Sequence, residues 1–278
     1  MELGSTRKCS RARGGGGLAV DRLSELPDCL LHIILSFMKA RQVVQTCVLS
    51  KRWEHLWRTV PCLDVDHEEF PETGSTIQDE YKAWHNFEDF VDNLLLSHEI
   101  ARLDSFRLHV NNVNRSYMYG YGWGLHASRW IRRSIKYSSK VDAWTLRRLH
   151  LSHIYLDDLF AKHIGSGCPS LEDLDIKRCT FALDEISSNS LKSLVINDCH
   201  STRHHTKLIV KAPATASLRL ALNLYYFTGG LFVTEMPSLS AASVSVLDNP
   251  KGTFHHNRWE FIVSLCNVTT LVLSDFQT

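Results

Sequence analysis

Four sets of residues in this 278-residue chain have types and spacings that raise the question of chemistry. Histidine occurs fifteen times, with adjacent pairs at His204-His205 and His255-His256. On an extended chain neighbouring side chains point to opposite sides, so such a pair does not chelate one ion. The eight cysteines include no CxxC pair, and no Cys or His spacing matches a zinc framework. Carboxylates pair at Asp157-Asp158 and at Asp64-Val65-Asp66, without a nucleophile or ligand set beside them. Solvated charge is the plainer account of both. The run YMYGYGWG at 117–124 is rich in glycine but lacks GxGxxG placement and a following Walker lysine. It displays Tyr121 and Trp123 on a loop-like stretch, where aromatic side chains serve as binding anchors or pack onto a flank. No GxSxG or HExxH arrangement is present. The expectation is a protein without an active site, cofactor or metal.

Composition agrees with that expectation. A hydrophobic fraction of 44% and a charged fraction of 22% describe a globular chain. The 31 Lys and Arg against 30 Asp and Glu leave a net charge of +1. That balance gives no general drive toward nucleic acid or an anionic membrane. No apolar run reaches the roughly 20 residues of a membrane span, and the basic, Gly-rich residues 1–20 have no secretory h-region. Those residues are expected to be a disordered leader. Unpaired cysteines inside apolar patterns point to a reducing compartment, the cytoplasm or the nucleus.

The elements that would position a binding surface fall into two blocks. The first opens at DRLSELPDCLLHIILSF, where Pro27 suits a first helical turn. Leu26, Leu30, Leu31, Ile33, Ile34, Leu35 and Phe37 make this helix apolar around most of its circumference. A short helix then leads to VLSKRWEHLW, where Leu49, Trp53, Leu56, Trp57 and Val60 recur at helical spacing until Pro61. About forty residues seldom bury enough surface to fold unaided. Three helices that short cannot hide two tryptophans and a dozen aliphatic residues among themselves. Part of that surface is therefore expected to be reserved for another molecule.

The second block is periodic. L-x-x-L-x-L segments begin at 103, 146, 171 and 191, with weaker copies at 215, 239 and 268. The intervals of 43, 25, 20, 24, 24 and 29 residues lie, after the first, in the range of leucine-rich repeats. Each segment alternates as a strand does, which predicts stacked parallel strands. Between the blocks, EEFPETGSTIQDEYKAW reads as a polar connector and FEDFVDNLLLSHE as an amphipathic helix, with the domain transition near residues 66–80.

The first block resembles the F-box, through its Leu-Pro start, aliphatic first helix and VLSKRW…LW ending over residues 21–66. The order of F-box, connector at 67–100 and repeats at 101–278 is similar to the plant F-box/LRR proteins, as are the phrases GCPSLEDLDIKRC and ISSNSLKSLVINDC. The resemblance implies an α/β architecture: a small three-helix F-box followed by an irregular leucine-rich-repeat solenoid with a curved parallel sheet. It implies a non-catalytic substrate receptor of an SCF-type ubiquitin ligase, joined through a Skp-family adaptor to a cullin scaffold with its RING subunit. The positions matching the motif that defines the F-box or touches the adaptor are Leu26, Pro27, Leu30, Ile34, Val44, Leu49, Trp53 and Trp57. Glu54 departs from the family's usual Arg or Lys, and Cys47 from its usual Ser. The chain stops at VLSDFQT, directly after a repeat, where related proteins continue; an exposed edge strand and a short or truncated member are the corresponding expectations. The target would lie against the x positions of the repeat strands, among them Arg148, His150, Asp173, Asp175, Ser193 and Val195. A non-degradative repeat scaffold is the alternative function, and a small-ligand sensor a third.

Overall fold

The computed structural model describes residues 25–71, 76–99, 103–110, 129–131, 146–203, 207–223, 230–246 and 268–274, with positions 23, 74, 226, 227 and 265. The helices α1 (Asp28–Leu35), α2 (Ala40–Gln45) and α3 (Trp53–Leu56) come first. Short 310 turns at Thr46–Val48 and Trp57–Thr59 flank α3. The longer third helix expected from the apolar spacing is thus broken, and Leu49 lies outside it. The long α4 (Ile77–Ser97) follows, and α5 (Asp158–Gly167) sits within the repeats.

The principal sheet runs β1 (Cys62–Asp66), β2 (Ser105–His109), β3 (Arg148–Ser152), β5 (Asp173–Lys177), β8 (Ser193–Ser201), β10 (Ser217–Leu222), β12 (Ala241–Val246) and β13 (Thr270–Ser274). Every neighbouring pair along this path is parallel. β2, β3, β5, β8, β10, β12 and β13 each begin two residues after the start of one of the seven leucine-rich segments. From β2 to β12 their alternation buries the leucine positions, such as Leu149 and Leu151 in β3 and Leu174 and Ile176 in β5, whereas Leu271 and Leu273 of the last strand, β13, are exposed. Shorter strands β4 (Tyr155–Asp157) and β6 (Thr180–Ala182) continue beside β8. Strands β7 (Glu185–Ser187), β9 (Leu208–Lys211) and β11 (Leu231–Thr234) form a separate three-stranded parallel sheet.

One hydrogen-bond motif sets the stacking. The carbonyl just before each coil's strand accepts two backbone N–H groups from the next coil. Arg147 O takes Glu172 and Asp173, Glu172 O takes Lys192 and Ser193, Lys192 O takes Ala216 and Ser217, and Ala216 O takes Ser240 and Ala241. The same motif begins at Pro61, whose carbonyl accepts from Asp104 at 2.7 Å and Ser105 at 3.0 Å. The sheet therefore starts at β1, before the transition expected at 66–80. Nothing in the sequence marked β1, because V-x-x-L-x-V at Val60–Val65 is interrupted by Pro61, which reads as the end of the preceding helix.

Left-handed backbone makes the corners after β3 and β5 and the matching break within β8. His153, Arg178 and Asp198 have φ of 59°, 50° and 51°, each five residues after its strand begins. The residue that follows, Ile154, Cys179 or Cys199, turns inward and is buried. Cys179 Sγ lies 3.3 Å from Lys177 O and accepts the Ile154 N–H at 3.4 Å, and Cys199 Sγ lies 3.4 Å from Asn197 O. These thiols serve as small buried groups that also satisfy turn backbone, and burial pushes that of Cys179 well above the ordinary range.

Helix α4 is longer than its amphipathic core suggests because a capping box starts it: Thr76 Oγ1 accepts the Asp79 N–H at 3.2 Å, and Asp79 Oδ2 accepts the Thr76 N–H at 3.2 Å. Its Asp92 accepts from Trp130 Nε1 at 3.0 Å and from Arg129 at 2.8 Å. Beyond its C-terminus, His98 is buried and donates from Nε2 to Val60 O at 2.9 Å. Its Nδ1 has no hydrogen-bond partner among the described residues. Among the described residues no helix is long and apolar enough to cross a membrane.

Burial holds the His98 imidazole neutral, lowering its pKa from 6.5 to about 4 despite the bond to Val60. The unfolded chain takes up a proton near pH 6.5 and the folded chain does not, so stability falls as pH drops from 6.5 toward 4. The full effect is about 3 kcal/mol. His98→Gln keeps a donor toward Val60 and cannot titrate. Its unfolding free energy, followed by denaturant melts from pH 7 to 4.5, is expected to decline less steeply than that of the wild type. Parallel curves would show that His98 is not buried as described.

Candidate protein-interaction faces

Helix α1 has more apolar faces than one core can use. Leu31 and Leu35 point inward and are fully buried. Leu30, Ile33 and Ile34 point outward and are exposed, and Phe37, just past the helix, is 85% exposed. Val48 and Leu49, in and after the first 310 turn, are 82% and 62% exposed. Six large apolar side chains within twenty residues are thus left to solvent by this chain, which is the composition of a surface finished by another protein.

The tryptophans belong to the other side. Trp53 and Trp57 are only 5% and 9% exposed. With Leu56 and Val60 they belong to the same apolar cluster as Leu63 and Val65 of β1 and Trp84 and Phe87 of α4. Of the eight positions drawn from the family motif, Leu30, Ile34, Leu49 and Pro27 lie on the exposed surface, Leu26 and Val44 are half-buried against the core, and the two tryptophans are inside it. Ile33, Phe37 and Val48 were not among those eight, although the all-round apolarity of α1 pointed to the first two. Glu54 is exposed.

Polar contacts fix this surface. Arg52 reaches across to Asp28 Oδ1, 3.0 Å from Nε, and also donates to Leu26 O. His32 Nε2 and Thr59 Oγ1 are 3.0 Å apart. Lys39 binds Asp66 at 2.8 Å and Asp64 at 3.3 Å, both on β1. Arg41 donates to Glu69 O and lies 4.7 Å over the Phe70 ring. The carboxylates of Asp64-Val65-Asp66 thus tie the helices to the sheet. Burial opposes ionisation of Asp66, but Lys39 and the Glu68 N–H outweigh it and hold its carboxyl below the usual range. At the other pair, Asp157 Oδ1 accepts the Phe160 N–H at 2.9 Å as the cap of α5, and Asp158 pairs with Arg203 at 2.6 Å.

The second face is the solvent side of the principal sheet. Arg148 is exposed there, and His150, Asp173, Asp175, Ser193 and Val195 are half-buried, alternating with core leucines. Register places Arg148 beside Asp173, and His150 beside Asp175. The charges answer one another between strands: Arg107 with Asp64 at 3.2 Å, Arg148 with Asp104, and His150 with Asp175 at 3.4 Å. Lys177 adds a contact of 2.8 Å to Asp175. Burial raises the Asp175 pKa, yet the bonds from His150 and Lys177 prevail and keep it low. From β8 onward the same rows carry Ser193, Val195, Asn197, Ser217, Ala221, Ala241, Ser243 and Ser245, with Arg219 exposed among them. Tyr121, Trp123 and both histidine pairs lie outside the described residues.

Comparison with known proteins bears on both faces. The F-box domain family matches residues 23–64. The chain is 32% identical to the MEIOTIC F-BOX protein MOF of Oryza sativa subsp. japonica, over 89% of this chain and 57% of that protein. It is 31% identical to an F-box/FBD/LRR-repeat protein of Arabidopsis thaliana, over 70% of this chain and 50% of that one. An F-box/LRR-repeat protein of the same plant is 29% identical over 75% of this chain and 77% of its own length. The chain spans about half the length of most of these curated relatives.

The two sets of apolar residues should separate in stability. Trp53→Ala removes a buried indole and is expected to cost about 3–5 kcal/mol in denaturant unfolding. Phe37→Asp and Leu49→Asp, made where the side chain is already in water, are expected to change it by no more than about 0.5 kcal/mol.

Proposed function

We propose that this chain, a member of the plant F-box/LRR family, is the substrate-recognition subunit of an SCF-type ubiquitin ligase. The observation that carries the reading is the exposed apolar set Leu30, Ile33, Ile34, Phe37, Val48 and Leu49 within the matched F-box. That set is the seat for a Skp-family adaptor, which bridges to a cullin scaffold, its RING subunit and a ubiquitin-charged enzyme. Leu30, Ile34 and Leu49 are adaptor-contacting residues in this reading. Trp53 and Trp57 support them from the core rather than by contact.

The chain contributes position, not bond chemistry. A target held on the solvent face of the sheet has its lysines confined near the charged enzyme, and the confinement raises their effective concentration. That gain requires a fixed relation between the two faces. The Lys39 and Arg41 contacts and the shared core supply it, since a loose joint would spread the target over a larger volume. The target side is the row structure around Arg148, His150, Asp173 and Asp175 together with the less charged rows from β8 onward. Free cysteines at Cys168, Cys179 and Cys199, all buried, fit a protein of the cytoplasm or nucleus.

Co-purification with a plant Skp-family adaptor tests the reading. The wild type is expected to retain the adaptor, and Phe37→Asp with Leu49→Asp to lose it, at about 2 kcal/mol or more per anchor. Both side chains are already in water, and a correctly folded double variant that binds as tightly as wild type would overturn the assignment of the surface. A wild type that does not bind would overturn the function.

A further inference from the structure

We propose that Asp66, Glu68 and His109 form a binding site for a divalent transition-metal cation of the zinc class, at the seam between the helical unit and the sheet. Parallel register sets Asp66, the last residue of β1, directly beside His109, the last residue of β2. Glu68 is brought back to them by the 310 turn His67–Glu69, which Asp66 itself caps by accepting the Glu68 N–H at 3.0 Å. One donor atom from each of the three side chains lies within 4.8 Å of the others.

The separations suit a shared ion better than a direct bond. His109 Nε2 and Glu68 Oε1 are 3.8 Å apart, beyond hydrogen-bond reach. Two ligands of one tetrahedral ion, each about 2.1 Å from it, sit about 3.4 Å apart, so this pair needs only a small closure. Asp66 is the anchor: it is 8% exposed and held by both Lys39 and the turn N–H. A ligand restrained in this way loses little freedom on binding. Lys39 occupies Oδ2 of the same carboxylate and has Asp64 at 3.3 Å as a second partner. The His109 ring is further set edge-on against His153, at 5.4 Å between centroids.

Ligand type selects the ion. One imidazole with two carboxylates suits zinc or manganese, whereas magnesium prefers an all-oxygen octahedron and keeps its waters. Three protein ligands leave a position for water, as in an open zinc site. The site is absent from any local motif because Asp66 and His109 stand in different coils of the fold.

Calorimetric titration of Zn2+ alone into the full-length chain under reducing conditions tests the proposal, with Mg2+ as the comparison. Glu68→Gln alters an exposed side chain and His109→Gln a half-buried one, and circular dichroism checks that both variants fold. The expected result is one Zn2+ site whose affinity falls roughly tenfold or more in each variant, with no response to Mg2+. The proposal is overturned if the wild type takes up no Zn2+, or if both folded variants bind it as the wild type does, which would place the ion among the chain's other histidines and cysteines.

Discussion

Everything in this fold leans on the burial of Trp53, Leu56, Trp57 and Val60 in one apolar cluster with Leu63 and Val65. A helical unit of about forty residues cannot bury enough surface to stand alone. Here it does not have to, because the chain passes from the second tryptophan to the first sheet strand within five residues. The Pro61 carbonyl already accepts the pair of N–H groups that recurs at every later coil. The F-box is therefore built as the first layer of the stack rather than as a bead tied to it.

That arrangement frees the opposite side of the helices. Since the tryptophans are buried in the chain's own apolar cluster, the outward face of α1 need not close on anything within the chain. Leu30, Ile33, Ile34, Phe37, Val48 and Leu49 remain in water at a cost that the shared core offsets. The Lys39 bonds to Asp64 and Asp66, and the Arg41 contacts with Glu69 and Phe70, add direction to a joint that apolar packing alone would hold less specifically.

Much of this is legible in the amino-acid sequence. Leucines at strand spacing mark seven strands of the principal sheet, because a half-buried parallel strand enforces alternation along its whole length. What escaped has identifiable causes. Strand β1 is hidden by Pro61 and by its position after a helix, and the short strands β4, β6, β7, β9 and β11 have three or four residues each, too few for a period to emerge. The eight motif positions could not be divided between core and surface, since the helical spacing of Trp53 and Trp57 tells only that they share a side, not which side. The meeting of Asp66, Glu68 and His109 depends on strand register, which no local spacing encodes. Glu54 stands out as a departure in sequence, and in the structure it is simply an exposed charge.

The central claim is that helices and sheet are one cooperative body, so that a partner on one face is fixed relative to a target on the other. Native-state hydrogen exchange measures this directly. The account predicts that the slowest amides of α1 and α3 open with the same free energy as those of β2 and β3, and that Trp53→Ala lowers both sets together. Opening of the helices at a much lower free energy, with the sheet amides unaffected by that substitution, would contradict it.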